Sequence, residues 1–206
     1  MNTKDKILDK ALEMFNERGI EYVGLRELAA VLGIRVGNIS YYFPTKDDLV
    51  YQLSQEFTRS NSEIVVAQNA ITIHGFLDML LQVFENHYRF RCLLRSFVHI
   101  MTQNKLVSSS YGKTRQTRRS AIASNIHGLA EARYLKTESK EQIDALVSAI
   151  ELVSRYWISD AAVFARNLSK KQQVEHYFNI VVSIVDPHAS LKAKKEIRSF
   201  CDKISN

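Results

Sequence analysis

The stretch that most constrains this chain runs from Leu25 to Lys46, LRELAAVLGIRVGNISYYFPTK. Leu25, Leu28, Ala29 and Leu32 recur at the three-and-four spacing of one buried helix face, and Gly33 follows where a helix end needs a residue tolerant of left-handed backbone. A first helix is therefore predicted to stop at Gly33. Ile34 is a lone apolar residue in the turn, and Ile39 with Phe43 repeats at helical spacing before Pro44 forbids continuation. A second helix of under two turns results. Thr45 and Asp48 then have capping-box spacing and open a third. Two short helices joined by a Gly-containing tight turn form a helix-turn-helix, whose second helix lies in the major groove of DNA with its early residues on base edges.

Charge does not make the same argument. The chain carries +6 overall, but residues 1–60 hold eight Lys or Arg against nine Asp or Glu, while residues 61–206 hold twenty against thirteen. The basic surplus lies away from the helix-turn-helix, so DNA binding is argued from the motif.

In chain order, Thr3 is the expected N-cap of a helix whose stripe is Ile7, Leu8, Ala11, Leu12 and Phe15, and Gly19 ends it. The helix opened at Thr45 carries Leu49, Leu53, Glu56 and Phe57 and is expected to reach about Gln68. Phe76, Leu80, Phe84, His87 and Tyr88 mark another helix, and Leu93, Leu94, Phe97, Val98 and Met101 the next. The run KLVSSSYG, Lys105 to Gly112, reads as a connection. Ile122, Ile126 and Leu129 mark a helix fading near Tyr134–Thr137. Two cleaner stripes follow, Ile143 to Ala162 and Val174 to Val185, with Pro187 ending the second and a short helix around Leu191, Ile197, Phe200 and Ile204 closing the chain. Only two prolines and seven glycines in 206 residues, with 46% hydrophobic residues, fit an all-α protein.

The first fifty residues resemble the N-terminal domain of the TetR family of bacterial transcriptional regulators. The resemblance is carried by MFNERG at Met14–Gly19, LRELAAVLGI at Leu25–Ile34, YYFPTK at Tyr41–Lys46 and DDLV at Asp47–Val50. It implies a three-helix DNA-binding domain over residues 1–48, linked to a larger helical effector-binding and dimerisation domain over 49–206. In that layout the helix after Thr45 links reader to effector domain. The implied DNA-facing residues are Gly24, Arg26, Arg35, Val36, Gly37, Asn38, Ser40, Tyr41, Tyr42 and Lys46, with Ile39 and Phe43 turned inward. Departures are visible. Gly24 and Arg35 stand where the family usually places a capping Ser or Thr, and Tyr42 where it most often has His. Arg35 can reach a phosphate or grip guanine, Asn38 can pair adenine, and Val36 can touch a thymine methyl. Lys46 has the family role of a phosphate contact, or is an ordinary surface lysine.

The resemblance also implies a homodimer, because a palindromic operator needs two readers. The two clean stripes are the helices to pair, through Ile150, Trp157, Ala161, Val174, Phe178, Val181, Val182 and Val185, unless both serve only the chain's own core. Residues 89–119 contain eight Lys or Arg and no Asp or Glu. Together with nearby aromatics they suggest an effector pocket of Phe84, Tyr88, Arg91, Arg95, Phe97, Met101 and Trp157 for a small apolar or amphipathic molecule bearing a carboxylate or phosphate. The alternative is a solvated basic face over a filled core.

Catalytic constellations fail on spacing. Gly112-Lys113-Thr114 lacks the leading glycine of a phosphate loop, since Val107 stands there, and the six histidines form no pair four apart. Neither metal nor cofactor is expected, nor an enzyme. Two distant cysteines, no apolar run long enough for a membrane and no signal-like N-terminus suggest a reduced, cytoplasmic protein. The expected function is a repressor of double-stranded palindromic DNA released by a small molecule. A helix-turn-helix adaptor whose C-terminal domain recruits a protein and binds no ligand is the alternative.

Overall fold

A computed structural model of the chain describes residues 2–66, 72–136 and 139–205. Among them are eleven α-helices: α1 Thr3–Arg18, α2 Leu25–Leu32, α3 Val36–Tyr42, α4 Lys46–Val66, α5 Ile73–Arg89, α6 Arg91–Arg95, α7 Phe97–Gln103, α8 Lys105–Glu131, α9 Lys140–Phe164, α10 Lys170–Val185 and α11 Leu191–Ser205. Single 3-10 turns occupy Ile20–Tyr22 and Asp186–His188. The fold is all-α, with no strand among the described residues beyond one isolated bridge between Leu135 and Ala189. No described helix is long and apolar enough to cross a membrane. The expected ends at Gln68 and Thr137 lie outside the described residues.

The chain divides into two compact units, and α4, α5 and α8 contribute residues to both. One comprises residues 1–59 and 89–112. Its core is the expected α1 stripe of Ile7, Leu8, Ala11, Leu12 and Phe15, together with Leu28, Ile39, Phe43, Leu49 and Leu53, all buried. The α1 cap is Asn2 rather than Thr3, because Asn2 and Asp5 exchange bonds in a capping box that places Thr3 inside the first turn.

Three details of this unit were not legible in the pattern. Asn16, in the last turn of α1, is buried; its amide donates to the Arg89 carbonyl at 2.8 Å and accepts from the Cys92 N–H at 3.0 Å, fastening α1 to the start of α6. The run expected as one helix from Leu93 to Met101 breaks at Ser96 into α6 and α7, leaving Val98 66% exposed. KLVSSSYG is helical rather than a connection. Asn104 starts that helix: its side-chain oxygen accepts from the Val107 N–H at 3.1 Å while its amide donates to the Asp47 carbonyl at 2.9 Å. The three serines that read as loop residues donate their hydroxyls to carbonyls three residues back, and Tyr111 packs on Phe97 with ring centroids 5.2 Å apart.

The other unit comprises residues 60–88 and 113–206. Here α9 and α10 pack against each other, and α10 against α11. Both helices start at serine caps, Ser139 and Ser169. An aromatic cluster fills the interior: Phe84 stacks on Trp157 at 5.2 Å and meets Phe178 edge-on at 6.3 Å, while Trp157 lies 5.5 Å from Tyr177. Each of these rings is at least 96% buried. Phe200 of α11 closes on Phe178, and Leu191, expected in the terminal stripe, is 81% exposed because α11 begins there with Ala193 facing inward.

Candidate nucleic-acid interface

The helix-turn-helix forms where the sequence places it. Gly33 caps α2 at φ 65°, its N–H shared between the Ala29 and Ala30 carbonyls, and the Ile34 N–H also returns to Ala29. Only a residue free to adopt positive φ closes the helix this tightly without steric cost. The chain then re-enters helix at Val36. Ile39 and Phe43 are 0% and 2% exposed and anchor α3. The opposite side of α3 is open: Arg35, Val36, Gly37, Asn38, Tyr41 and Tyr42 are exposed, and Ser40 is half-buried. Tyr41, 81% exposed, sets its ring edge-on to Tyr42 at 5.0 Å. A side chain at Gly37 would meet nothing of this chain within 4 Å. The fold does not require glycine there, and the open side of α3 leaves room for a close approach to its backbone.

Gly24 and Arg26 are exposed at the entry to α2, whose cap receives no side-chain hydrogen bond; Arg35 likewise caps α3 without one. Arg18 and Glu27 form an ion pair between α1 and α2. Thr45 and Asp48 complete the capping box at the head of α4. Lys46, in the first turn, is half-buried with its ammonium 3.4 Å from the Glu21 carbonyl. Burial pulls that ammonium below its ordinary pKa, against the opposing pull of Glu21 and Asp47. The Glu21 carboxyl is pushed up by burial, yet a hydrogen bond from Ser96, its own backbone and the charges of His99 and Lys46 together hold it below the usual carboxylate range. Glu21 thus holds Lys46 beside the turn, a link that residue spacing alone does not show.

The seven residues suggested for an effector pocket do not all fall in one compact unit. Phe84, Tyr88 and Trp157 belong to the second, where two of them stack; Arg91, Arg95, Phe97 and Met101 belong to the first. Arg95 donates to the Asn16 carbonyl at 3.3 Å, at the C-terminus of α1. The eight positions suggested for subunit contact, Ile150, Trp157, Ala161, Val174, Phe178, Val181, Val182 and Val185, are all buried within a single chain. Helical spacing marks a buried face without saying what buries it. What α9 and α10 leave outside is a different set, with Leu152, Tyr156, Val163 and Ile180 at 59%, 40%, 58% and 37% exposure.

Residues 7–53 match the family model for bacterial regulatory proteins of the tetR family, and residues 52–197 match the TetR model described as bacterial transcriptional repressor. This chain belongs to the TetR family. It is therefore a transcriptional regulator of a DNA-binding family. A probable HTH-type transcriptional regulator, YttP of Bacillus subtilis (strain 168), is 34% identical over 84 residues, 40% of this chain and 41% of the relative. The chain spans about two fifths of the length of the curated relatives it matches. A TetR-family regulator from Marinobacter aquaeolei VT8 shares the fold at TM-score 0.88, with 22% identity over 99% of both chains. The ketosteroid transcriptional regulator KstR2 of Mycobacterium tuberculosis does so at TM-score 0.66 and 18% identity, over 89% of this chain and 95% of its own.

Proposed function

We propose that this TetR-family chain is a repressor that binds a palindromic operator as a homodimer and is released by a small-molecule effector. The observation that carries the DNA reading is the open side of α3: Val36, Gly37, Asn38, Tyr41 and Tyr42 face solvent on a helix whose other side is locked by Ile39 and Phe43. A short rigid helix with small and hydrogen-bonding residues on its free side suits the major groove. Residues 1–48 act as reader and 49–206 as effector and dimerisation region. Arg35 and Asn38 read bases; Gly24, Arg26, Ser40, Tyr41, Tyr42 and Lys46 position the backbone of the duplex.

Subunits pair through the outward faces of α9 and α10. Leu152, Tyr156 and Val163 lie within about 40° of one another around α9, and Ile180 stands on the exposed side of its neighbour α10. An apolar strip on two adjacent antiparallel helices matches a four-helix bundle shared across a two-fold axis. For the effector, the description of the Mycobacterium neighbour as a ketosteroid transcriptional regulator supports a small molecule with a large apolar part.

The DNA reading is tested by two pairs of variants. Arg35→Ala and Asn38→Ala should each lose about 1–3 kcal/mol at particular base pairs and relax the preference there. Tyr42→Ala and Lys46→Ala should weaken binding to all sequences alike, with Lys46→Ala also lowering the salt slope by about one phosphate. Binding curves across a mutated operator panel separate the two patterns. Four variants with wild-type affinity on every member of the panel would remove α3 as the reader.

A further inference from the structure

We propose that Arg115, Arg119 and Arg155, gathered around Glu151, form an oxyanion site, and that the effector carries an acidic group, a phosphate or a carboxylate, that docks there. The effector part rests on the repressor reading above; the site itself does not.

Glu151 projects from α9 with only 10% of its side chain exposed. Arg119 of α8 places Nη1 3.2 Å from one carboxylate oxygen and 3.1 Å from the Ser148 hydroxyl, and Nη2 3.4 Å from Asp144. Arg155, one turn along α9, donates to the other oxygen at 3.0 Å, and Arg115 approaches it at 3.7 Å. A structural tie between α8 and α9 needs one guanidinium per carboxylate. Here three converge on one nearly buried carboxylate, with exposed Asp144 as the second anion, and like charges held this close repel unless further negative charge arrives.

The three guanidinium groups outnumber the two carboxylates by one positive charge, which an acidic group on a ligand would neutralise. Guanidinium forks bind phosphate and carboxylate groups bidentately, and Glu151 orients these forks. Access is open, since the Arg115 and Arg119 side chains are 56% and 36% exposed. On this proposal the basic stretch that stands out in the sequence serves ligand binding through Arg115 and Arg119.

The test titrates the full-length protein, without DNA and at constant ionic strength, with phenyl phosphate, malonate and uncharged phenol, following the heat of binding. One or both dianions should bind saturably at one site per chain while phenol does not, and whichever binds names the class. Arg119→Gln should weaken that binding at least about tenfold. Asp144→Asn, at an exposed position, should tighten it several-fold by removing a competing anion. No saturable binding of either dianion up to about 10 mM, or wild-type affinity in both Arg119→Gln and Asp144→Asn, overturns the site. Dianion binding that depends on Arg119 but leaves operator affinity unchanged overturns the acidic-effector claim alone. Failure of the untreated protein to bind any operator instead counts against the repressor reading and leaves the anion site standing.

Discussion

Glutamate at Leu152 together with glutamate at Ile180 should yield fully helical monomers whose operator affinity has fallen by about a thousandfold. Both positions face outward, at 59% and 37% exposure, so a charge there costs the isolated chain little. In the proposed bundle each charge would be buried against its symmetry mate with no counter-ion. Operator affinity falls because the second reader no longer binds at the effective concentration its partner provides, a factor of about 10²–10⁴. Sedimentation, circular dichroism and operator titration on the same sample check all three parts. The contrasting substitution is Val181→Glu. Val181 is wholly buried in one chain, so that variant should unfold the α9–α10 core instead of releasing folded monomers. A double variant that stays dimeric would place the interface elsewhere.

Acid should destabilise this protein through one buried imidazole. His87 lies beside Phe84 in the aromatic cluster and accepts the Trp157 indole N–H at 3.3 Å. Burial, aided by Arg118 and opposed by a hydrogen bond to the Ser154 backbone, lowers its pKa from 6.5 to about 3. In the unfolded chain the same histidine takes a proton near pH 6.5. Between these values the unfolded state binds more protons, so the His87 contribution is complete above pH 6.5 and falls by about 1.4 kcal/mol per pH unit as the solution is acidified toward pH 3. By pH 4.5 the loss is about 2–3 kcal/mol, a large share of a typical domain's stability. His87→Gln keeps an acceptor for Trp157 but cannot take the proton. Its urea midpoint should therefore fall less steeply with acid than that of the wild type, by that amount. Parallel curves for the two proteins would mean that His87 is not held neutral.

The reader is legible in sequence because each of its joints depends on one residue type. Gly33 at positive φ, Pro44 after Phe43 and the Thr45–Asp48 box each close an element by a local rule, and the structure has all three ends where those rules place them. The elements misread are those set by distant partners. KLVSSSYG looks like a loop from composition, yet Asn104 caps it, its serines are satisfied within the helix and Tyr111 finds Phe97. Asn16 stands outside the apolar stripe of α1, and only the Arg89 carbonyl and the Cys92 N–H make it a buried anchor. The stripes of α9 and α10 are read correctly as buried faces. Period alone does not distinguish a chain's own core from a face kept for a second copy, and the exposed set Leu152, Tyr156, Val163 and Ile180 appears only once the packing is known. Arg115 and Arg119 are likewise two charges in a basic run until the fold brings Glu151 between them.

The most direct measurement is selection of bound duplexes from a random DNA pool by the wild-type protein, followed by titration of the best sequence against scrambled DNA at fixed, near-physiological salt. A TetR-family dimer reading DNA through α3 should enrich a palindrome whose half-sites are separated by about one helical turn or a multiple of it, and bind it at least about 10³ times more tightly than the scrambled duplex. An enriched pool without two-fold symmetry, or equal affinity for selected and scrambled DNA, would contradict it.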